Sequence, residues 1–123
     1  VPEGGRFELR VADGAANPYL SLAALLSAGL DGVTRAVDPG EPNGENLYTL
    51  SLEDVAARSI ITLPPTLLHA VDYLQADDVL RTGLGTGRDG DYVDYFAQTK
   101  RDEFRTVTAQ VPAAELEAYL SLV

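Results

Sequence analysis

One stretch of this chain alternates with period two, and a strand cannot exist alone. In Arg6-Phe7-Glu8-Leu9-Arg10-Val11-Ala12, side chains fall on opposite faces of an extended backbone. Phe7, Leu9 and Val11 share an apolar face. Arg6, Glu8 and Arg10 share the other, with charges in the order plus, minus, plus. The spacing predicts a β-strand over 6–12. Its backbone donors and acceptors need a neighbouring strand, and the rest of the chain reads as helices. The strand therefore needs partners that the chain does not obviously contain, which points to a segment of something larger.

The remaining pattern is helical. Asp13-Gly14 predicts a turn. Asn17 is a good N-cap, and Pro18 suits the first helical position, where its missing N–H costs nothing. A helix is expected from there to about Val33. Tyr19, Leu20, Leu22, Ala23, Leu25, Leu26 and Leu30 cover most of its circumference, so it should be largely buried. Asp38 to Asn46 is a surface loop by turn chemistry. Ser51-x-x-Asp54 reads as a capping box for a short helix to about Arg58. Leu63-Pro64-Pro65 breaks the chain. Thr66 caps an amphipathic helix carrying Leu67, Leu68, Val71 and Leu74 on one stripe. Asp77 or Asp78 starts another short helix through Val79, Leu80 and Leu84. Gly83, Gly85 and Gly87 suggest a flexible loop, with no strand before it to support a phosphate-binding role. A long helix is expected from about Asp91 to Thr108, with Tyr92, Tyr95, Phe96, Thr99 and Glu103 on or near one stripe. Pro112 opens a last short helix with Leu116, Tyr119 and Leu120 on its apolar side.

Composition narrows the function. The 123 residues suit one modest domain or part of a larger one, and 46% hydrophobic with 23% charged is ordinary for a packed protein. The formal net charge of −10 argues against nucleic acid or an anionic membrane as partner, since both need a basic footprint. The chain has no cysteine and a single His69, so neither a disulfide framework nor a thiolate or histidine-rich metal site is available. It also has no methionine, even at its first position, which suits a processed chain or a cut from a longer one. No run of apolar residues is long enough to span a membrane.

Two readings of the charged strand face stay open on spacing alone. Facing solvent, Arg6, Glu8 and Arg10 would make ion pairs of little energetic worth. Facing a cavity, they would be equipped for phosphoryl transfer. A carboxylate is a hard oxygen ligand for Mg²⁺ or Mn²⁺. Guanidinium groups about 7 Å apart along the strand can grip phosphate or carboxylate oxygens in pairs. His69 and the tyrosines, including Tyr48, carry ordinary solvent-exposed or packing explanations. The acidic pairs Glu53-Asp54, Asp77-Asp78 and Asp89/Asp91 look like helix-start charges.

The order of motifs adds a resemblance. Arg6-x-Glu8-x-Arg10-x-x-Asp13-x-x-Ala16-Asn17-Pro18-Tyr19-Leu20, then Ala23-Ala24 and Ala28-Gly29-Leu30-Asp31-Gly32, resembles the C-terminal part of the glutamine synthetase catalytic domain. Asp38-Pro39-Gly40, Asn46-Leu47-Tyr48, Leu63-Pro64, Lys100-Arg101-x-Glu103 and Glu115-x-x-x-Tyr119-Leu120 have counterparts in the same order. The resemblance implies that residues 1–123 are the C-terminal segment of such a domain. The intact domain would be α+β, and this segment mainly α-helical with one N-terminal strand of the active-site sheet. It implies an ATP-dependent ligase that forms glutamine from glutamate and ammonia through a γ-glutamyl phosphate, working in the cytoplasm as a homo-oligomeric ring. Glu8 would bind a catalytic Mg²⁺ or Mn²⁺. Arg10 would be catalytic and touch the glutamate carboxylate or the transferred phosphate. Arg6 would lie towards the nucleotide. Tyr48 matches a position that is adenylylated in some bacterial members. A ligase using another amine, and a non-catalytic structural relative, are the alternatives that the same resemblance admits. The segment by itself is expected to be inactive.

Overall fold

The computed structural model describes residues 5, 7–88 and 90–120. Six α-helices account for most of them: α1 Pro18–Thr34, α2 Leu52–Ala57, α3 Leu67–Gln75, α4 Asp78–Leu84, α5 Tyr92–Thr108 and α6 Ala113–Leu120. A single 3₁₀ turn, Leu47–Thr49, precedes α2. The short strands β1 Thr86–Gly87 and β2 Gly90–Asp91 pair antiparallel, with Thr86 opposite Asp91 and Gly87 opposite Gly90.

The caps explain where these helices begin. The Asn17 side chain accepts from the backbone N–H of Tyr19 and Leu20, and Pro18 occupies the first turn of α1. Ser51 and Asp54 form the reciprocal capping box of α2. Thr66, Asp77 and Asp91 each accept backbone N–H groups at the starts of α3, α4 and α5. Each cap satisfies donors that the first turn leaves without partners. Asp89, the remaining residue of the acidic clusters, lies outside the described residues.

Packing follows two helix pairs, α1 with α4 and α3 with α5, while α4 also touches α3 and α5. Val71 of α3 and Val93 and Ala97 of α5 are the only buried apolar side chains among the described residues. Arg101 ties the same pair from the polar side, donating to Asp72 and to the Gln75 side chain at 2.7 Å each. In α5 the buried stripe therefore runs through Val93 and Ala97. Tyr95, expected on the apolar stripe, is exposed. Tyr92 and Phe96 stack beside it with centroids 6.0 Å apart, and the Lys100 ammonium lies over Phe96.

Three expectations need correction in detail. The segment 7–11 joins no ladder, because β1 and β2 pair only with each other. Extended backbone becomes a strand only when a neighbour takes its hydrogen bonds, and none among the described residues does. The mainly helical character is as expected. The glycines at 83–87 do not form a loose loop: Gly83 lies inside α4 and Gly87 inside β1. Gly85, at φ +76°, ends α4 and turns the chain into the hairpin, and its carbonyl accepts from Tyr92 N–H at 3.2 Å.

The third correction concerns α1, which buries no residue completely. Only one side, through Leu20, Ala23, Ala24, Leu25 and Ser27, is half-buried. Leu22, Leu26, Leu30 and Val33 are exposed. The chain exposes 10666 Å² in all. A compact monomer of its 13.1 kDa would expose roughly 6,400 Å². The apolar circumference of α1 is in the sequence, but the mass that would cover it is not among the described residues.

Candidate functional site

Glu8 and Arg10 stand side by side. The Arg10 Nε donates to Glu8 Oε1 at 2.7 Å. Both side chains are well exposed, 71% for Glu8 and 83% for Arg10. Leu9, between them, lines an apolar groove of about 320 Å³ with Pro18, Ser21, Leu22 and Leu25 of α1. The alternation read in the sequence thus survives without a ladder: the apolar residue borders the helix while its charged neighbours pair with each other.

The turn that follows fixes this segment to α1. Asp13 accepts from Ala15 N–H at 2.7 Å through its side chain and from Ala16 N–H at 3.0 Å through its carbonyl. One residue later Asn17 caps the helix. The motif Asp13-x-x-Ala16-Asn17-Pro18 is therefore a turn-and-cap device that holds the charged segment at a set distance before the helix. Arg6, assigned above to the nucleotide, lies outside the described residues.

The donor set limits what the pair can hold. A carboxylate suits a hard divalent cation such as Mg²⁺ or Mn²⁺. Oε2 of Glu8 has no hydrogen-bond partner among the described residues and can supply one ligand. No group of three or more acidic, histidine or cysteine side chains among the described residues could hold a metal ion. Glu8 could therefore supply one ligand only, and the described residues offer no group that would complete a metal site around it. Arg10 brings a permanent charge and a fork of donors suited to carboxylate or phosphate oxygens.

Other charged groups serve the fold. Arg81 binds Asp91 at 2.8 Å, Asp94 at 3.2 Å and the Gln75 carbonyl at 3.1 Å. Hydrogen bonds to Asp94 and Asp91 hold the Arg81 guanidinium above its usual range, and the bond from Arg81 holds both carboxyls below theirs. Asp54 is held low by its hydrogen bonds with Ser51. His69 is exposed, and its Nδ1 meets the Thr66 hydroxyl at 2.7 Å. Tyr48 is fully exposed. A groove of about 440 Å³ between α1 and α4 brings Ser27, Asp31, Asp78 and Thr82 together, an arrangement the sequence did not signal. Asp31 there is already paired with Arg35 at 2.8 Å. No described helix is long and apolar enough to cross a membrane.

The family model for the glutamine synthetase catalytic domain matches residues 1–119. A glutamate–methylamine ligase of Methyloversatilis universalis is 39% identical over 117 residues, which is 95% of this chain and 25% of that protein. A glutamine synthetase of Halobacterium salinarum is 39% identical over 115 residues, covering 94% of this chain and 24% of its own length. The glutamine synthetase of Vibrio cholerae is 38% identical over 121 residues, 98% of this chain and 25% of its own. The chain thus spans about a quarter of the length of these curated relatives. It belongs to the glutamine synthetase catalytic-domain family.

Proposed function

We propose that the chain works as the C-terminal segment of an ATP-dependent ligase that joins the γ-carboxylate of glutamate to ammonia. The observation that carries this reading is the Glu8–Arg10 pair, set on one face just before the capped α1 in a chain matched to the family over residues 1–119. The uncovered apolar sides of α1 support work within a larger body.

In this reading the terminal phosphoryl group of ATP passes to a γ-carboxylate oxygen of glutamate, and ADP departs. The nitrogen of ammonia then attacks the carbonyl carbon, phosphate leaves and the nitrogen gives up a proton. Glu8 would hold Mg²⁺ or Mn²⁺, which when bound offsets negative charge on the phosphoryl group. Arg10 grips an oxygen of glutamate or of the transferred phosphoryl group and stabilises charge as it develops. Arg6 serves the nucleotide phosphates. Homo-oligomeric assembly would complete the site.

A second acceptor class has a specific observation behind it, the similarity to a protein named glutamate–methylamine ligase. The full-length enzyme, given ATP, glutamate, Mn²⁺ and either ammonia or methylamine, separates the two by the mass of the γ-glutamyl product. Glutamine from the ammonia reaction is expected, with Glu8→Gln losing most of the turnover. Product only with methylamine would move the assignment to the amine ligase. No product with any amine would favour a non-catalytic structural relative.

A further inference from the structure

Building on the roles just proposed for Glu8 and Arg10, we infer that the two residues form a resting latch, in which the guanidinium of Arg10 occupies the carboxylate that the metal must take. The pair is direct, Nε to Oε1 at 2.7 Å. Among the described residues neither side chain has another partner. A guanidinium held on Oε1 opposes a divalent cation arriving at Oε2 of the same carboxylate, because the two cations repel one another at that separation and share one negative charge.

The residues are two apart with Leu9 against α1 between them, so both charged side chains leave the backbone on the same side. Displacing Arg10 needs only side-chain rotation. Metal arriving at Glu8 then frees Arg10 to face an incoming carboxylate or phosphoryl oxygen. Metal and anionic substrate would bind with positive coupling, and the coupling is reciprocal. Before metal arrives, Arg10 is partly neutralised and a poor anion trap. The size is bounded by the exposure of the pair, which limits the effect to no more than about fivefold.

The test uses the full-length enzyme without nucleotide or glutamate. Phenylglyoxal modification of Arg10 is followed by peptide mass spectrometry as Mn²⁺ is added, and Mn²⁺ binding is read separately from the resonance of the free ion. Saturating Mn²⁺ is expected to speed Arg10 modification roughly two- to fivefold, the scale of an exposed pair. In Glu8→Gln the modification should be fast at all Mn²⁺ concentrations. Modification unchanged or slowed by Mn²⁺ in the wild type overturns the latch, and this measurement decides even should the variant misassemble. Undiminished Mn²⁺ binding by Glu8→Gln instead removes the metal-ligand role on which the latch depends.

Discussion

A Cβ on Gly83 would overlap the hydroxyl of Ser27 and lie 2.5 Å from its Cβ. This close approach sets the packing of α4 on α1. In an exposed helix Gly→Ala would help by about 1 kcal/mol through backbone entropy. Here overpacking opposes it, at about 1–3 kcal/mol. Gly83→Ala is expected to lower the melting temperature of the full-length protein, and Gly83→Val to lower it further. Ser27→Ala should relieve little, because its Cβ remains in the way, whereas Ser27→Gly should restore most of the loss. A Gly83→Ala protein with unchanged melting temperature would mean that the two helices do not meet this closely.

Arg81 joins the end of α3 to the start of α5 through the Gln75 carbonyl, Asp91 and Asp94. A lysine carries the same charge on one compact ammonium and cannot span these three acceptors as a planar fork does. Arg81→Gln should destabilise the hairpin most and Arg81→Lys by an intermediate amount. Amide exchange of residues 85–92 reads this locally. Faster exchange confined to that region is the expected result, and exchange unchanged in both variants would contradict a bracing role.

Acid should loosen the same region. Asp91 and Asp94 have carboxyl values held below the ordinary 3.8, first by their hydrogen bonds from Arg81. A carboxylate with a depressed value in the folded state stabilises it above the unfolded value, and that stability disappears as pH falls through the folded one. The contribution is thus fully present above about pH 4 to 5 and lost progressively below. Asp91→Asn keeps a side-chain oxygen to cap Val93 and Asp94 N–H groups but removes the charge facing Arg81. Its stability should be lower than wild type at pH 7 and should vary less between pH 5 and 2. A variant with an unaltered acid limb would show that the charge contributes nothing.

Much of this architecture was legible because it is local. Asn17-Pro18, Ser51-x-x-Asp54, Thr66, Asp77 and Asp91 announce helix starts through hydrogen bonds within a few residues. Glu8 and Arg10 were legible as a pair on one face for the same reason. The failures came from distance. Whether 6–12 becomes a strand depends on a neighbour far away in sequence or in another part of the protein. The burial of α1 depends on mass that propensity does not reveal. Along α5 the aromatic rings dominate the helical pattern in the sequence, but it is the smaller Val93 and Ala97 that are buried while Tyr95 is exposed. Gly83 looked like a loop residue, though its missing side chain serves helix packing.

The uncovered face of α1 makes the last prediction. Leu26 is 52% exposed in this chain, and Leu22 and Leu30 beside it are also open. An exposed substitution usually changes stability by no more than about 0.5 kcal/mol. A leucine packed in a core costs about 2–5 kcal/mol when truncated. Leu26→Ala should therefore have little effect on the helicity of the isolated chain, measured by circular dichroism against temperature. In the full-length enzyme the same change should lower stability by about 2 kcal/mol or more. The isolated chain should also bind a hydrophobic dye that the intact enzyme does not. Equal, small effects of Leu26→Ala in both settings would mean that this face stays open in the whole protein and that α1 is apolar for some reason other than burial.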